Sequence, residues 1–371
     1  MPTTTTAPTP AADEDSHGER QAVRFLQSQA SVAVTTNDDA ALSHAAETLY
    51  AYRTDSVANA TWHVHIEVTG PLDLDPGDKS VPIEIGPGIH ARALHRNHES
   101  RYIVAEPPAI IAIDWPGRVI TARCGSSAAS RHFTVRLIRQ AMTAQLLDAG
   151  ALYAHTAALT LRGRGILVSG HRRHGKTTTL VALLRHYPGD FVTNDRLLLT
   201  AGSGGQITGV PWPSHLRAGI GTLLAYPDLA DLVSERLRGM PSEQRWTHRE
   251  KVSIAPADFR RLISDGSVAT ECHPQLMIWP DVSARHRTAR AEPVGPDEVQ
   301  HILTSTRLFM LDPVHGISSR INHWLFPEPS ADQQDARLAA LTSNLARTVR
   351  CYRLRAGADP GILARAVSEL P

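Results

Sequence analysis

The sequence predicts an α/β protein in which a mixed-sheet domain follows a smaller, strand-rich α+β region. Two observations predict this fold class. Over residues 152–200, strand-like segments flank one helix-like segment, and a glycine-bounded loop lies between strand and helix. Before residue 130, short segments of alternating apolar and polar residues are separated by Pro- and Gly-containing turns. We therefore expect a tail at 1–20, an N-terminal α+β region at 21–130 and a second domain at 131–371.

The composition is that of a globular protein without a strong overall charge. The chain has 371 residues, of which 42% are hydrophobic and 20% charged, and this is enough for two domains with cores of their own. Its 38 Lys and Arg residues nearly balance 37 Asp and Glu residues. No general positive field attracts nucleic acid, so we expect no nucleic-acid partner and any anion site to be local.

The chain shows no membrane or export signal. No stretch approaches the roughly 20 apolar residues of a membrane helix, and MPTTTTAPTPAADEDSHGER has neither a basic segment nor an apolar one. Its Thr, Pro, Ala and acidic residues predict a disordered tail over residues 1–20. The three cysteines are far apart without CxxC spacing, which predicts neither a disulfide framework nor a structural zinc site. We expect a cytoplasmic protein with no membrane partner.

The N-terminal region carries strand patterns but little recognisable chemistry. Strands are predicted for WHVHIEV, YIVAEPPAIIAIDW and RVITARC, and a loop for TGPLDLDPGDKS. We expect this region to contribute to substrate recognition. The following segment, RHFTVRLIRQAMTAQLLDAG, has helical spacing of its apolar residues and ends at Gly150, which suits a left-handed stop. It predicts a core helix that opens the second domain.

The second domain begins with an ordered series of elements. LYAHTAALTL predicts a strand, RGRG a tight turn and ILVS a short buried strand. The loop GHRRHGKT follows, then a helix over KTTTLVALLRHY and a strand pair over FVTNDRLLLT. The loop has the spacing Gly, four residues, Gly, Lys, Thr. Between a strand and a helix, such a loop points successive N–H groups and the helix N-terminus at one spot, where they bind phosphate.

The loop residues have distinct predicted roles. Gly170 and Gly175 let the backbone approach a ligand or take positive φ. Lys176 is expected to reach the β and γ phosphates of ATP, Thr177 to bind Mg²⁺ and Thr178 to donate near the helix start. The remaining cradle positions, which contribute backbone N–H groups, are His171, Arg172, Arg173 and His174. Their side chains either receive a second anionic group or are solvated.

Asp195 is the candidate carboxylate. It lies at the end of the strand after the loop helix, and the carboxyl ends of strands in α/β sheets are where ligands bind. Phosphoryl transfer is mostly positioning and charge stabilisation around a metal-bridged triphosphate, so a metal or base carboxylate is needed there. The alternative is an ordinary turn Asp after Asn194.

Residues 155–196 resemble the C-terminal kinase domain of HPr kinase/phosphorylase, whose loop belongs to a fold shared with phosphoenolpyruvate carboxykinase. In that family a His precedes the loop by a hairpin, as His155 does here, and an Asp pair closes the next strand, where this chain has Asn194 and Asp195. The resemblance implies that His155 assists the catalytic carboxylate, that Lys176 and Thr177 hold ATP and Mg²⁺, and that Asp195 supplies a metal or base carboxylate.

The departure at Asn194 bears on catalysis. The family's leading Asp acts as the base for the acceptor hydroxyl, and an asparagine cannot accept that proton. Either Asp195 takes this role or transfer proceeds with weaker base assistance, which a dissociative transition state allows. Asn194 and Arg196 are then candidates for substrate contact.

Further candidates lie downstream. GVPWPSHLRAGIGTL and EKVSIAPADF resemble segments of the same relatives and make Arg217 and Lys251 candidates for phosphate or substrate contact. Apolar spacing predicts a strand over LMIWPDV and helices over PDEVQHILTST and ADQQDARLAALTSNLARTV. Enzymes of the HPr kinase type form hexamers, so the resemblance also implies a homo-oligomer.

Three functions agree with these features. The chain resembles HPr-kinase-like proteins found near peptide and natural-product biosynthesis genes more than it resembles HPr kinase itself. This resemblance implies an ATP-dependent phosphotransferase acting on a Ser or Thr hydroxyl of a peptide or protein. A kinase of a small hydroxylated metabolite is the alternative, and a non-catalytic nucleotide-binding regulator is the third, suggested by Asn194.

Overall fold

A computed structural model of the chain describes residues 22–55, 59–77, 79–86, 88–96, 98–202, 204–283, 286–305, 308–309, 324 and 330–371. Over these residues the chain is an α/β protein whose strands form four sheets, and the predicted fold class is confirmed at that level. The predicted tail at 1–20 lies outside the described residues. In the described part of the chain, no helix has the length and apolar character needed to cross a membrane.

A nine-stranded sheet occupies the N-terminal part of the chain. Its order is β3-β1-β2-β4-β9-β8-β7-β6-β5. The pairs β2–β4 and β4–β9 are parallel. The other pairs are antiparallel. The strands are β1 (Val23–Gln27), β2 (Ala30–Thr36), β3 (Arg53–Thr54), β4 (Trp62–Val68), β5 (Val81–Gly86), β6 (Ile89–Arg96), β7 (Glu99–Val104), β8 (Ala109–Asp114) and β9 (Val119–Cys124).

The predicted alternation in β4 is confirmed, because Trp62, Val64 and Ile66 are buried while the residues between them are exposed. The sheet places these side chains on one face, and helices cover that face. They are α1 (Asp39–Thr48) and α2 (Ser127–Asp148). A 3-10 helix, Tyr50–Tyr52, follows α1.

Helix α2 belongs to the core of the nine-stranded sheet. Ser126 caps its N-terminus by accepting from the Ala129 N–H, and Gly150 follows its end at φ +98°, as predicted. Its buried side chains, among them Phe133 and Leu137, pack with strands β2, β4 and β9 and with α1. We expected this helix to open the second domain. Its apolar face instead fits the sheet before it, so the boundary near residue 130 stays a prediction.

The remaining strands form three sheets. A six-stranded sheet has the order β13-β11-β12-β18-β20-β19, a three-stranded sheet the order β10-β14-β15, and β16 pairs with β17. The strands are β10 (Leu152–Ala154), β11 (Ala157–Leu161), β12 (Arg164–Val168), β13 (Gly189–Thr193), β14 (Leu197–Ala201), β15 (Ile207–Pro211), β16 (Leu216–Gly219), β17 (Lys251–Ile254), β18 (Pro274–Val282), β19 (Arg290–Val294) and β20 (Arg350–Ala356).

Helices cover both faces of the six-stranded sheet. The helices of this part of the chain are α3 (Lys176–His186), α4 (Ile220–Leu224), α5 (Glu235–Arg238), α6 (Ser242–Arg245), α7 (Pro296–Ser305), α8 (Ala331–Thr348) and α9 (Pro360–Ser368), with 3-10 helices at Pro227–Leu232 and Pro256–Leu262. Helices α3 and α9 pack on the face that carries Ile166 and Val168, and α7 and α8 on the face that carries Leu167. Burial on both faces explains the continuous apolar run of β12.

The structure divides one predicted strand. LYAHTAALTL was expected to be a single strand, but it forms β10 and β11, which are separated by His155 and Thr156 and belong to different sheets. Thr156 at this break donates from Oγ1 to the Val168 carbonyl and shares a 2.8 Å hydroxyl contact with Ser169. The break therefore fixes His155 beside the end of β12.

The three cysteines, Cys124, Cys272 and Cys351, are free thiols and buried. Burial raises the pKa of each thiol to about 12, with a smaller contribution from Asp38 at Cys124 and from Glu271 at Cys272. A thiol with such a pKa is almost fully protonated at neutral pH and is a poor nucleophile.

The packing of α2 gives a testable prediction. A fragment of residues 1–150 should unfold cooperatively, because it keeps the helix that covers one face of the nine-stranded sheet. A fragment of residues 1–126 should lose cooperative unfolding and bind an apolar dye, because the side chains of that face are then exposed. Circular dichroism with denaturant and dye fluorescence would measure both. Equal behaviour of the two fragments would contradict the placement of α2.

Candidate active site

The loop at 169–175 is attached to strand β18 at both ends. The Ser169 N–H donates to the Ile278 carbonyl at 2.9 Å, and the Val282 N–H donates to the His174 carbonyl at 3.2 Å. Strands β12 and β18 are parallel neighbours, with Val168 opposite Ile278. The loop therefore leaves the carboxyl end of β12 and enters α3, and the predicted order of strand, loop and helix is confirmed.

Positive φ angles shape this loop. They are +136° at Gly170, +71° at Arg173 and +94° at Gly175. A Cβ on Gly175 would lie 2.5 Å from Cγ2 of Val282, so both the backbone angle and the space require glycine there. The structure thus explains why the second glycine of the loop, Gly175, is required.

Helix α3 begins at this loop without a side-chain cap. Gly175 is its N-cap residue, and no side chain accepts from its first N–H groups. Uncapped N–H groups at the positive end of a helix form a site for anions. His171, Arg172, Arg173 and His174 are exposed around this end.

Lys176 folds back over the loop. Its Nζ donates to the Gly170 carbonyl at 2.8 Å and to the His171 carbonyl at 3.3 Å. Burial lowers the pKa of Lys176 and the charge of Lys251 adds to that effect, while Asp195 acts against it. The ammonium is therefore held beside the loop, where a bound anion would stabilise its charged form.

Asp195 and His155 form an ion pair across the break between β10 and β11. The distance from His155 Nδ1 to Asp195 Oδ1 is 3.1 Å, and Arg196 Nε lies 3.6 Å from Asp195 Oδ2. The Asp195 side chain remains 45% exposed. Burial acts to raise its pKa. The hydrogen bond and charge of His155, together with the charges of Arg196 and Lys176, outweigh burial and hold the pKa of Asp195 below its usual range.

Lys251 and Arg217 lie on the antiparallel pair of strands β17 and β16, where Lys251 is opposite Gly219 and Arg217 is opposite Ser253. Burial is the largest cause of a lowered pKa at Lys251. Asp195 opposes it, and the charges of Arg217, Arg172 and Arg173 lower the pKa further. Groups that influence one another in this way lie near one another, so the structure brings these predicted residues together.

Asn194 is oriented differently from Asp195. It is 9% exposed, and its Oδ1 has no hydrogen-bond partner. It lines a small recess. The aromatic walls are Tyr50 and Tyr52 from the N-terminal part and Phe191, Trp212 and Phe259 from the C-terminal part. Trp212 Nε1 is also buried without a partner.

The loop helix and the neighbouring strand carry contacts that the sequence did not predict. Thr178 in the first turn of α3 shares a 2.9 Å hydroxyl contact with Thr222 of α4. Asp281, near the end of β18, lies 3.9 Å from Nδ1 of His174 and 3.4 Å from Nε2 of His286. The position of Asp281 at the end of an apolar strand was the signal that could have identified it, as it identified Asp195.

Within the described ranges, no group of three or more His, Cys, Asp and Glu side chains is placed so that it could hold a metal ion. Thr177, the predicted Mg²⁺ ligand, lies partly exposed at the start of α3. Any metal at this end of the helix would therefore need ligands from a bound substrate or from water as well.

Comparisons with known proteins do not assign this chain to a family. No family model matches the chain, and no curated protein matches it. Among solved structures, the chain is similar to the HPr(Ser) kinase/phosphatase from Coxiella burnetii at 13% sequence identity and a TM-score of 0.25. The similarity covers 58% of this chain and 93% of that one. A TM-score of this size does not define a common fold, so the chemistry has to be inferred from the site.

The contact between Gly175 and Val282 gives a prediction of stability. Gly175→Ala should lower the unfolding free energy by about 2 kcal/mol or more, because it adds both φ strain and a clash. Gly163→Ala is the matched control, since Gly163 has φ +78° but no atom within 4 Å of a Cβ. It should cost only the strain, about 1 kcal/mol. Chemical denaturation measures both. Adding Val282→Ala should restore part of the loss in Gly175→Ala, and equal losses with no such rescue would contradict the clash.

The His155–Asp195 pair gives a prediction of pH dependence. Asp195 has a lowered pKa in the folded state, so its ionised form adds stability that is complete above the unfolded pKa and is lost as pH falls through the folded pKa. In His155→Ala the Asp195 pKa should rise, and the acid loss of stability should begin at higher pH. Carboxyl-carbon NMR and denaturation between pH 2 and pH 6 measure this. His286→Ala, which removes a partner of Asp281, is the control and should leave the Asp195 pKa unchanged.

Proposed function

We propose that the protein is an ATP-dependent phosphotransferase that moves the γ-phosphoryl group to a Ser or Thr hydroxyl of a peptide or protein. The observation that carries this proposal is the convergence of an uncapped helix N-terminus, the Lys176 ammonium and the Asp195 carboxylate on one loop. Phosphoryl transfer requires a phosphate cradle, a compensating charge and a group that positions the acceptor.

The cradle would hold the triphosphate through the backbone of residues 170–175 and through Thr178. Lys176 now donates to two loop carbonyls. An incoming phosphate offers the ammonium a charged acceptor in their place, and charge-assisted hydrogen bonds are about twice as strong as neutral ones. Arg172, Arg173, Arg217 and Lys251 add positive charge around the same point and favour a polyanion over a monoanion.

Mg²⁺ would be held by Thr177 and Asp195 together with the phosphates. A hydroxyl and one carboxylate fit this ion, which keeps several waters and usually takes only one or two protein carboxylates plus substrate phosphates. When bound, the ion neutralises charge on the triphosphate. The ionised state of Asp195 suits this role, because its low pKa keeps the carboxylate free of a proton at neutral pH.

Asp195 would also orient the acceptor hydroxyl, with His155 holding the carboxylate in place. A carboxylate with a lowered pKa is a weak base, but proton transfer comes late in a dissociative transition state and needs little basicity. Asn194 is nine-tenths buried in the recess wall, which supports Asp195 as the residue that receives the proton.

The recess supports a peptide rather than a small metabolite as the acceptor. It is too small to enclose a metabolite, and its walls come from two parts of the chain, whereas metabolite pockets enclose most of their ligand. Its lining residues Asn194 and Trp212 each carry a buried side-chain polar atom without a hydrogen-bond partner. The N–H and C=O of a peptide group are the kinds of partner that these atoms lack.

Substitutions at the loop and at the carboxylate test this proposal. Lys176→Ala should weaken ATP binding by 10-fold or more and abolish turnover, while Lys79→Ala in the N-terminal part changes neither. Asp195→Asn should lower turnover by about 10³-fold and leave ATP affinity within a few fold, because the lost group acts on transfer. His155→Ala should lower turnover less. Calorimetry with ATP and Mg²⁺, and mass spectrometry of Ser- and Thr-containing peptides, provide the measurements.

Two results would contradict the proposal. Full turnover in both Asp195→Asn and His155→Ala would exclude the assigned roles. Tight ATP binding by the unmodified protein, with no transfer to any hydroxyl and no ATP hydrolysis, would favour the non-catalytic regulator.

A further inference from the structure

Trp246 presents an exposed aromatic ring beside the loop helix. It follows α6 and is 41% exposed, which is unusual for the largest apolar side chain. One face of its six-membered ring packs against the backbone of α4, because a Cβ on Gly221 would lie 2.6 Å from Cδ2 and 2.7 Å from Cε3. Because glycine has no side chain there, the ring approaches the helix backbone this closely while the residue stays 41% exposed.

A short series of contacts connects this ring to the loop helix. Gly221 precedes Thr222 in α4, and the Thr222 hydroxyl lies 2.9 Å from the Thr178 hydroxyl in the first turn of α3. Lys251, five residues after Trp246, is opposite Gly219 in the pairing of β16 with β17. The charges of Asp195, Arg172 and Arg173 act on the pKa of Lys251. Trp246 therefore packs on the helix that contacts the first turn of α3.

The two ends of a bound triphosphate can be assigned from the helix geometry. Lys176 and Thr178 are two positions apart, so their side chains point about 200° apart around α3. The charge of Asp195 acts on the Lys176 side, which would receive the reacting phosphate. The Thr178 side faces α4, on which Trp246 packs at Gly221, and the nucleoside of ATP lies at the opposite end of the triphosphate from the reacting phosphate.

We propose that Trp246 is the nucleobase subsite of this protein and stacks on the base of the bound nucleoside triphosphate. The inference rests on the proposed function, since it assumes that the loop binds a triphosphate. A flat aromatic ring stacks on any base through its π face, so the contact supports affinity without selecting strongly between adenine and guanine. Gly221 supports the ring from behind and keeps it in a fixed orientation.

The experiment compares a ligand that has a base with one that has none. Calorimetry of the full chain with Mg²⁺ would measure the Kd of ATP and of inorganic tripolyphosphate. In Trp246→Ala, the ATP Kd should rise about tenfold, which corresponds to about 1.4 kcal/mol, and the tripolyphosphate Kd should stay within twofold. Trp246→Phe keeps a ring on Gly221 and should recover most of the ATP affinity. Ile362→Ala, which removes a similarly exposed apolar side chain on α9, is the control.

The possible results separate this inference from the proposed function. An unchanged ATP Kd in Trp246→Ala, with normal tripolyphosphate binding, would overturn the nucleobase subsite and leave the phosphate loop intact. An equal loss of both ligands would show that the ring only supports α4, and would also overturn it. If the unmodified protein bound neither ligand, the proposed function would fail and the subsite with it.

Discussion

The packing of Gly175 against Val282 is the contact on which the geometry of the site depends. It brings the start of α3 to the end of strand β18 and requires the left-handed backbone that turns the loop into the helix. The direction of α3 then determines where the Lys176 ammonium and the Thr178 hydroxyl point. A larger residue at 175 would move the helix start and displace both groups from their present positions.

The site concentrates positive charge in a protein whose net charge is only +1. Two lysines there have lowered pKa values, because burial and neighbouring cations disfavour their charged forms. A bound polyanion would remove this cost, since an opposite charge nearby favours the charged form. Repulsion between these like charges therefore favours the binding of a multiply charged anion.

Local sequence signals predicted the loop, its flanking strand and helix, and the two strands on either side of Asp195, because glycine spacing and apolar periodicity act over a few residues. They did not show that these two strands, β13 and β14, belong to different sheets. The break at His155 and Thr156 could not be predicted, since both halves of LYAHTAALTL have strand character and only their partner strands separate them. The pairing of β12 with β18 joins segments more than 100 residues apart. The recess and the position of Trp246 depend on such distant pairings, and no local pattern reports them.

The burial of all three thiols has a practical consequence for work on this protein. Because each sulfur is enclosed and protonated, reagents that attack thiolates have no native target while the chain stays folded. A cysteine introduced on the surface, for example in place of an exposed arginine of the loop, would then carry a fluorophore or spin label alone. Movements of the loop on ligand binding could be followed in this way without first removing the native cysteines.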